Sequence, residues 1–253
     1  THSDYRDAMR RYKKMGDALK GSGRSITYSL CNWGLFSPWK WGESMGGNYW
    51  RTTPDIIDTW SGGPFWYGSF MSILKKQTKL YKYAGPGHWN DPDMMIVGNY
   101  GNGKATGQGK WKGMSDLEYQ THMSLWCMLN APLLSGCDLR NMNGPTKDIL
   151  LNPEIIAINQ DEKGEQAQVV SKAGGVWIYR KHLSDGGVAV AVFNKSKKSI
   201  KRGWTMHALA GNDNTATMRN VWQHTSTNYT SGDKITLEIT PHETLAFRIG
   251  GNY

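Results

Sequence analysis

The chain has 253 residues, 38% of them hydrophobic, with 12 tryptophans and a formal net charge of +9 at pH 7. That size fits one large domain, or a medium domain with a small companion, and the apolar and aromatic content excludes a disordered chain. No apolar run approaches the roughly 18 residues of a membrane-spanning helix, and the basic residues cluster only at Lys195–Arg202 and at Lys104, Lys110 and Lys112, with no nucleic-acid motif beside them.

In chain order, Tyr5, Ala8, Met9, Tyr12, Met15 and Leu19 recur at three- and four-residue spacing and predict an amphipathic helix capped by Gly21. A short strand over Ile26–Cys31 leads into an aromatic loop, and a second strand ends near Arg51. Residues 68–79 read as a helix, Tyr81–Gly85 as a third strand, Leu117–Leu129 as a helix and Pro132–Gly136 as a fourth strand. Strand, loop and helix in repetition predict a parallel α/β arrangement. Between them, Gly101–Gly113 reads as a flexible basic insertion. Near Gly164 the texture changes to VWIYR, VAVAVFN, MRNVWQH, ITLEI and TLAFRI, punctuated by glycine turns. Such runs predict an antiparallel β domain, dividing the chain into residues 1–163 and 164–253. The opening THSDYRDAMRRYKK lacks the apolar stretch of a signal peptide and reads as the middle of something longer, a fragment or a processed product. Three cysteines (Cys31, Cys127, Cys137) are too few for a disulfide scaffold or a zinc site, and Cys127 in SLWCML reads as core. Two glycosylation triplets, Asn194-Lys195-Ser196 and Asn228-Tyr229-Thr230, add slight weight to a secreted origin.

The chemistry concentrates in Tyr83–Met95 (YAGPGHWNDPDMM) and in Trp50-Arg51-Thr52-Thr53-Pro54-Asp55. Carboxylates, a guanidinium, tryptophans and tight Gly/Pro turns fall there close to strand ends. A carboxyl group beside flat rings suits sugar cleavage, because it can protonate a leaving oxygen while the rings pack on the apolar faces of the sugar. Glycoside hydrolysis normally takes two carboxylates, and the second is hard to find in this chain.

Five segments in order, YSLCNWG (Tyr28–Gly34), NYWRTTPDI (Asn48–Ile56), AGPGHWNDPDMM (Ala84–Met95), HMSLWCMLNAPLLSGCDLR (His122–Arg140) and IIAINQD (Ile155–Asp161), resemble glycoside hydrolase family 27, the α-galactosidases and α-N-acetylgalactosaminidases. The resemblance implies an α/β fold: the second half of a (β/α)8 barrel, its fifth to eighth strands, followed by a C-terminal antiparallel β-sandwich. It implies a retaining exo-glycosidase acting on terminal α-galactosides, with no cofactor or metal. The missing motif and apolar run leave no nucleic acid or membrane expected as partner, and the glycosylation triplets point to an extracellular or secretory-pathway location. The family nucleophile is an aspartate after the fourth strand, in a Lys-x-Asp setting that Asp4 and Asp7 do not match. A companion N-terminal segment is therefore expected to supply it.

The resemblance makes Asp55 the general acid/base, against its reading as a helix N-cap. Arg51 would hold the sugar's 2-hydroxyl and the neighbouring carboxylate, against a plain salt bridge. Cys31, Asn32, Trp33 and Gly34 form the loop that reads position 2 of the sugar, although Cys31 reads equally as inert core. The family's animal members pair that cysteine with one whose position here is Gly47, so that disulfide cannot form. Asp93 would orient nearby donors and Met94 pack below the sugar, against a structural turn at Asn90–Asp93. Asp58 is the nearest decoy, and His88 replaces a more usual glycine. Leu35 and Phe36 fill the loop where an acetamido pocket would need small residues, which favours galactose. α-N-Acetylgalactosaminidase and β-L-arabinopyranosidase remain alternatives within the family, and a non-catalytic glycan-binding remnant remains one outside it. The Gly101–Gly113 insertion is expected to rim the cleft and favour larger or anionic galactosides, or else to be a solvated loop.

Overall fold

The computed structural model describes residues 4–64, 66–102, 112–212 and 214–251. Residues 103–111 of the basic insertion lie outside these, and with them the reading of that stretch as a cleft rim. Helix α1 (Tyr5–Gly21) starts at Asp4, whose side chain accepts from Asp7 N at 2.8 Å, and ends on Ser22 rather than on Gly21. Three short strands follow, β1 (Ser29–Leu30), β2 (Tyr49–Arg51) and β3 (Trp89–Asp91), paired in parallel in that order. Leu30 lies opposite Trp50, Trp50 opposite Asn90, and Arg51 opposite Asp91. A single parallel bridge, Met95 to Ser135, follows β3.

Two expected strands are displaced. The third begins at Trp89, because Tyr81–Tyr83 is a 3-10 turn and Gly85 and His88 then exchange backbone hydrogen bonds across Pro86-Gly87. Gly87 adopts φ +85, the left-handed region that glycine enters at no cost, so the chain reverses there and extends only afterwards. Pro132–Gly136 forms no strand beyond the bridge at Ser135, and Pro132 has no N–H to give a ladder. The first strand is likewise shorter than Ile26–Cys31.

What fixes β2 against β3 is a buried polar network. Trp50 Nε1 donates to Asn90 Oδ1 at 2.9 Å, and Asn90 Nδ2 donates to Leu80 O at 2.8 Å and Gln166 Oε1 at 2.9 Å. Gln77, at the end of α2 (Phe70–Gln77), donates to Asn90 O at 3.0 Å and accepts from Thr52 Oγ1 at 2.7 Å. Each member is partnered, so burial carries little penalty and the strand exits are held in register.

Helix α3 (Asp116–Met128) opens with a Ser115/Glu118 capping box. It packs with α4 (Gly144–Leu150) and α5 (Pro153–Asn159) against the β domain. That domain has a six-stranded antiparallel sheet in the order β4 (Gln168–Ala173), β5 (Val176–His182), β6 (Val188–Asn194), β11 (Thr244–Ile249), β8 (Ala216–Asn220), β9 (Thr225–Tyr229). A second antiparallel pair joins β7 (Ile200–Trp204) to β10 (Ile235–Ile239), and a short helix α6 (Met206–Ala210) covers the same side. Strand β6 is buried along its whole length. Ala189, Ala191 and Phe193 face α3 and the barrel part, whereas Val188, Val190 and Val192 face the second sheet. A strand covered on both faces is why VAVAVFN is apolar at nearly every position. MRNVWQH is only half strand: β8 ends at Asn220, and Val221–His224 turn.

All three cysteines are free, and Cys127 is buried as read. Of the two glycosylation triplets, that at Asn194 is closed, because its Nδ2 donates to Lys198 O, Ile239 O and Thr240 O at 2.8–3.0 Å inside the sheet. Asn228 is exposed on β9.

Candidate active site

Parallel strands deliver their C-terminal ends to one side, and the residues just beyond β2 and β3 meet there. Thr52 N donates to Asp91 O at 2.8 Å and Thr53 Oγ1 to Pro92 O at 2.8 Å, so two threonines tie one strand exit to the next. The tie brings Arg51 onto both carboxylates. Its Nη2 lies 2.9 Å from Asp55 Oδ1, 2.9 Å from Asp93 Oδ2 and 3.2 Å from Thr53 O.

The two carboxylates differ in what else they touch. Asp93 is nearly buried: Oδ2 also accepts from Ile56 N at 2.7 Å, Oδ1 accepts from Met94 N at 2.8 Å, and its carbonyl takes Trp126 Nε1 at 2.9 Å. Its φ is +100, a region that costs a non-glycine residue energy, and these contacts hold it there. Burial raises its carboxyl above the usual range while Arg51 and the two N–H donors pull it down. With both oxygens committed, Asp93 is built to position neighbours rather than to attack. Asp55, by contrast, leaves half of its side chain exposed (50%) and starts no helix; its carbonyl accepts from Gly68 N and Ile56 bridges Gly68. The helix-cap reading of Asp55 is thereby removed.

Asp91, which reads in the sequence only as part of a turn, is almost fully buried beside this cluster and is raised to about 6 by burial, against the backbone N–H of Asp93 and the charge of Arg51. Asp58 is completely buried, where Tyr119 Oη (2.7 and 2.9 Å), Gly101 N (2.9 Å) and Met114 N (3.1 Å) all donate to it. It is an internal brace. His88 stacks on Trp50 (centroids 6.2 Å apart) ahead of β3, at the strand end opposite the carboxylates.

The loop after β1 lies against this cluster. Gly34 N donates to Arg51 O at 3.0 Å, and with φ +75 a Cβ on Gly34 would sit 2.1 Å from Thr52 O, so only glycine fits. Asn32 Nδ2 turns back to Leu35 O at 2.6 Å. The Cys31 thiol is pushed up by partial burial, pulled down by Arg51 and pushed up again by Asp55, Asp91 and Asp93, which places it beside the same charges. Trp33 is half exposed. Met94 abuts Gly136, where an added Cβ would come 2.8 Å from its Sδ. Asp55, Trp33, Gly34, Leu35, Pro54, Trp66, Tyr67 and Lys76 line a cavity of about 570 Å³. No second carboxylate lines that cavity among the described residues. Trp66, Tyr67 and Lys76 do not stand out as site residues in the sequence, although two adjacent rings in a Gly/Pro-rich loop are a signal for an exposed aromatic platform.

Parallel strands with a polar cluster beyond their C-terminal ends, backed by an antiparallel sandwich, define the second half of a (β/α)8 barrel with an appended β domain. The chain belongs to glycoside hydrolase family 27: the family model described as Alpha galactosidase A matches residues 1–161, and that of the Alpha galactosidase C-terminal beta sandwich domain matches residues 173–249. It is 39% identical over 240 residues to an alpha-galactosidase of Oryza sativa subsp. japonica, covering 94% of this chain and 52% of that protein. Its structure is similar to alpha-galactosidase I from Mortierella vinacea, with a TM-score of 0.87 and 28% identity over 99% of this chain and 64% of that one. A β-L-arabinopyranosidase from Geobacillus stearothermophilus shares the fold, with a TM-score of 0.80 and 23% identity over 96% of this chain and 54% of that one. The chain spans about half the length of the curated relatives it matches.

Proposed function

We propose that this chain is the acid/base-bearing half of a retaining exo-α-galactosidase. The observation that carries the reading is Asp55: a half-exposed carboxylate, held at 2.9 Å by a buried arginine, at the edge of an aromatic cavity. A companion carboxylate, supplied from outside this chain, attacks the anomeric carbon and forms a covalent glycosyl ester. Protonated Asp55 gives its proton to the glycosidic oxygen as the C–O bond breaks. Ionised Asp55 then takes a proton from water, whose oxygen attacks the same carbon, frees the companion carboxylate and releases α-galactose. Such a mechanism needs the two carboxyl groups about 5–5.5 Å apart. Asp93 keeps Arg51 in place throughout, and the chemistry needs only carboxylates and water.

Galactose is favoured over its N-acetylamino derivative because Leu35 and Phe36 occupy the loop beside Trp33. The shared fold with an arabinopyranosidase supports β-L-arabinopyranoside as the second reading. Entry into the secretory pathway is supported by the exposed triplet at Asn228.

The test is hydrolysis of an aryl α-galactoside by the full-length protein, with the product anomer read by NMR. Asp55→Asn is expected to lower kcat by about 10²–10⁴, and α-galactose is expected as the first product. Turnover confined to β-L-arabinopyranosides would move the sugar assignment. Binding of galactosides without turnover by the full-length protein would replace the enzyme reading with that of a glycan binder.

A further inference from the structure

We propose that the cavity beside Asp55 is a leaving-group subsite for a sugar bearing an anionic substituent, a sulfate ester or a carboxylate, which Lys76 recognises. The inference rests on the α-galactosidase reading and extends it to the part of the substrate that departs.

Three rings reach this cavity. Trp66 is 78% exposed, Trp33 51% and Tyr67 49%. Large rings left in water around one concavity, on the side where Asp55 presents its proton, are a stacking surface for pyranose faces. The acid protonates the oxygen between galactose and the leaving group, so whatever the oxygen is attached to lies against the acid's outer side. The cavity therefore receives the leaving sugar, with Trp33, Gly34 and Leu35 forming the wall it shares with position 2 of the galactose.

Lys76 sets its chemistry. It sits on the last turn of α2, and its ammonium comes within 2.4 Å of the point a Cβ on Gly34 would occupy, so the chain at Gly34 has room for that ammonium only because it lacks a side chain. Nζ lies 5.3 Å from the centroid of the Trp39 ring. Among the described residues it meets no carboxylate at ion-pair distance and donates no hydrogen bond. Partial burial lowers its proton affinity, the mark of a cation stripped of water without a counter-ion to replace it. Most lysines avoid that cost by reaching bulk water. An incoming anion would remove it, and charge-assisted hydrogen bonds in a partly dry cavity are stronger than neutral ones.

The experiment uses the full-length protein and three α-galactosyl disaccharides differing only in the reducing sugar: neutral, sulfated and uronic. Methyl α-galactoside is the control for the reaction itself. The expected result is a kcat/KM about tenfold higher for one or both anionic substrates than for the neutral one. That ratio should fall to near one in Lys76→Met and persist in Lys76→Arg. A preference for the sulfated substrate alone assigns sulfate, and for the uronic one alone, a carboxylate. Turnover of methyl α-galactoside with no anionic preference overturns the subsite while leaving the enzyme reading intact. A preference that survives Lys76→Met overturns the role of Lys76. Absence of methyl α-galactoside turnover overturns the underlying reading and the subsite with it.

Discussion

Nη2 of Arg51 serves Asp55 and Asp93 at once, so the acid and its brace share a single nitrogen. Behind them, Asp91 is raised by burial from the ordinary 3.8 to about 6. A carboxyl with a raised folded-state pKa favours folding when protonated. Its contribution is therefore fully present below pH 3.8 and is lost as pH rises through about 6. Asp91→Asn should consequently raise stability by about 1–3 kcal/mol at pH 7–8 and by little near pH 4, as read by thermal unfolding across that range. An unchanged difference across the range would mean that burial of Asp91 carries no charge penalty. The residue types of the cluster are legible in the sequence, since Arg51, Asp55 and Asp93 stand out by composition and motif. Their division of labour is not, because it depends on which oxygens the Ile56 and Met94 amides occupy and on the positive φ of Asp93.

Elements are where local signals mislead. YKYAG has strand-like composition, yet the turn over Gly85–His88 intervenes and the strand begins only at Trp89. Pro132–Gly136 has a strand's apolar look but one bridge, its ladder ending after the hydrogen bonds from Met95 N to Leu134 O and from Gly136 N to Met95 O. Helices are more legible because their caps are written in the sequence, as Ser115 and Glu118 show for α3. The loop after β1 carries its own requirement, the close approach of Gly34 to the Thr52 carbonyl. Gly34→Ala must push that loop away from β2. A loss of more than about 1 kcal/mol in denaturant unfolding is expected, along with a rise in KM, because Trp33 and the Lys76 ammonium are placed by the same contact. A variant with wild-type stability and KM would show that the loop relaxes without cost.

Across the whole molecule the barrel part and the β domain share one core. Trp126, Met128 and Ile155 from the first lie in the same apolar cluster as Trp177, Tyr179 and Phe193 from the second. Trp60 meets Phe193 edge-on at 5.9 Å, and Lys181 reaches from β5 to Asn130 and to Ile158 O. The change in texture near Gly164 is visible in the sequence, but this fusion is not, because it arises from helix faces meeting one face of a sheet. Phe193→Ala should cost about 3–5 kcal/mol and shift far-UV and tryptophan signals of the full-length protein together. Separate transitions would mean that the two parts unfold independently. Asn194, next along β6, adds a temporal reading of the same architecture. Its amide is reachable only while the sheet is unmade, whereas Asn228 stays open on the finished surface. In a glycosylating host the two triplets thus differ as a race differs from a standing offer. Glycopeptide mapping should find sugar on Asn228 in folded molecules, and on Asn194 only in those whose sheet was too slow to close.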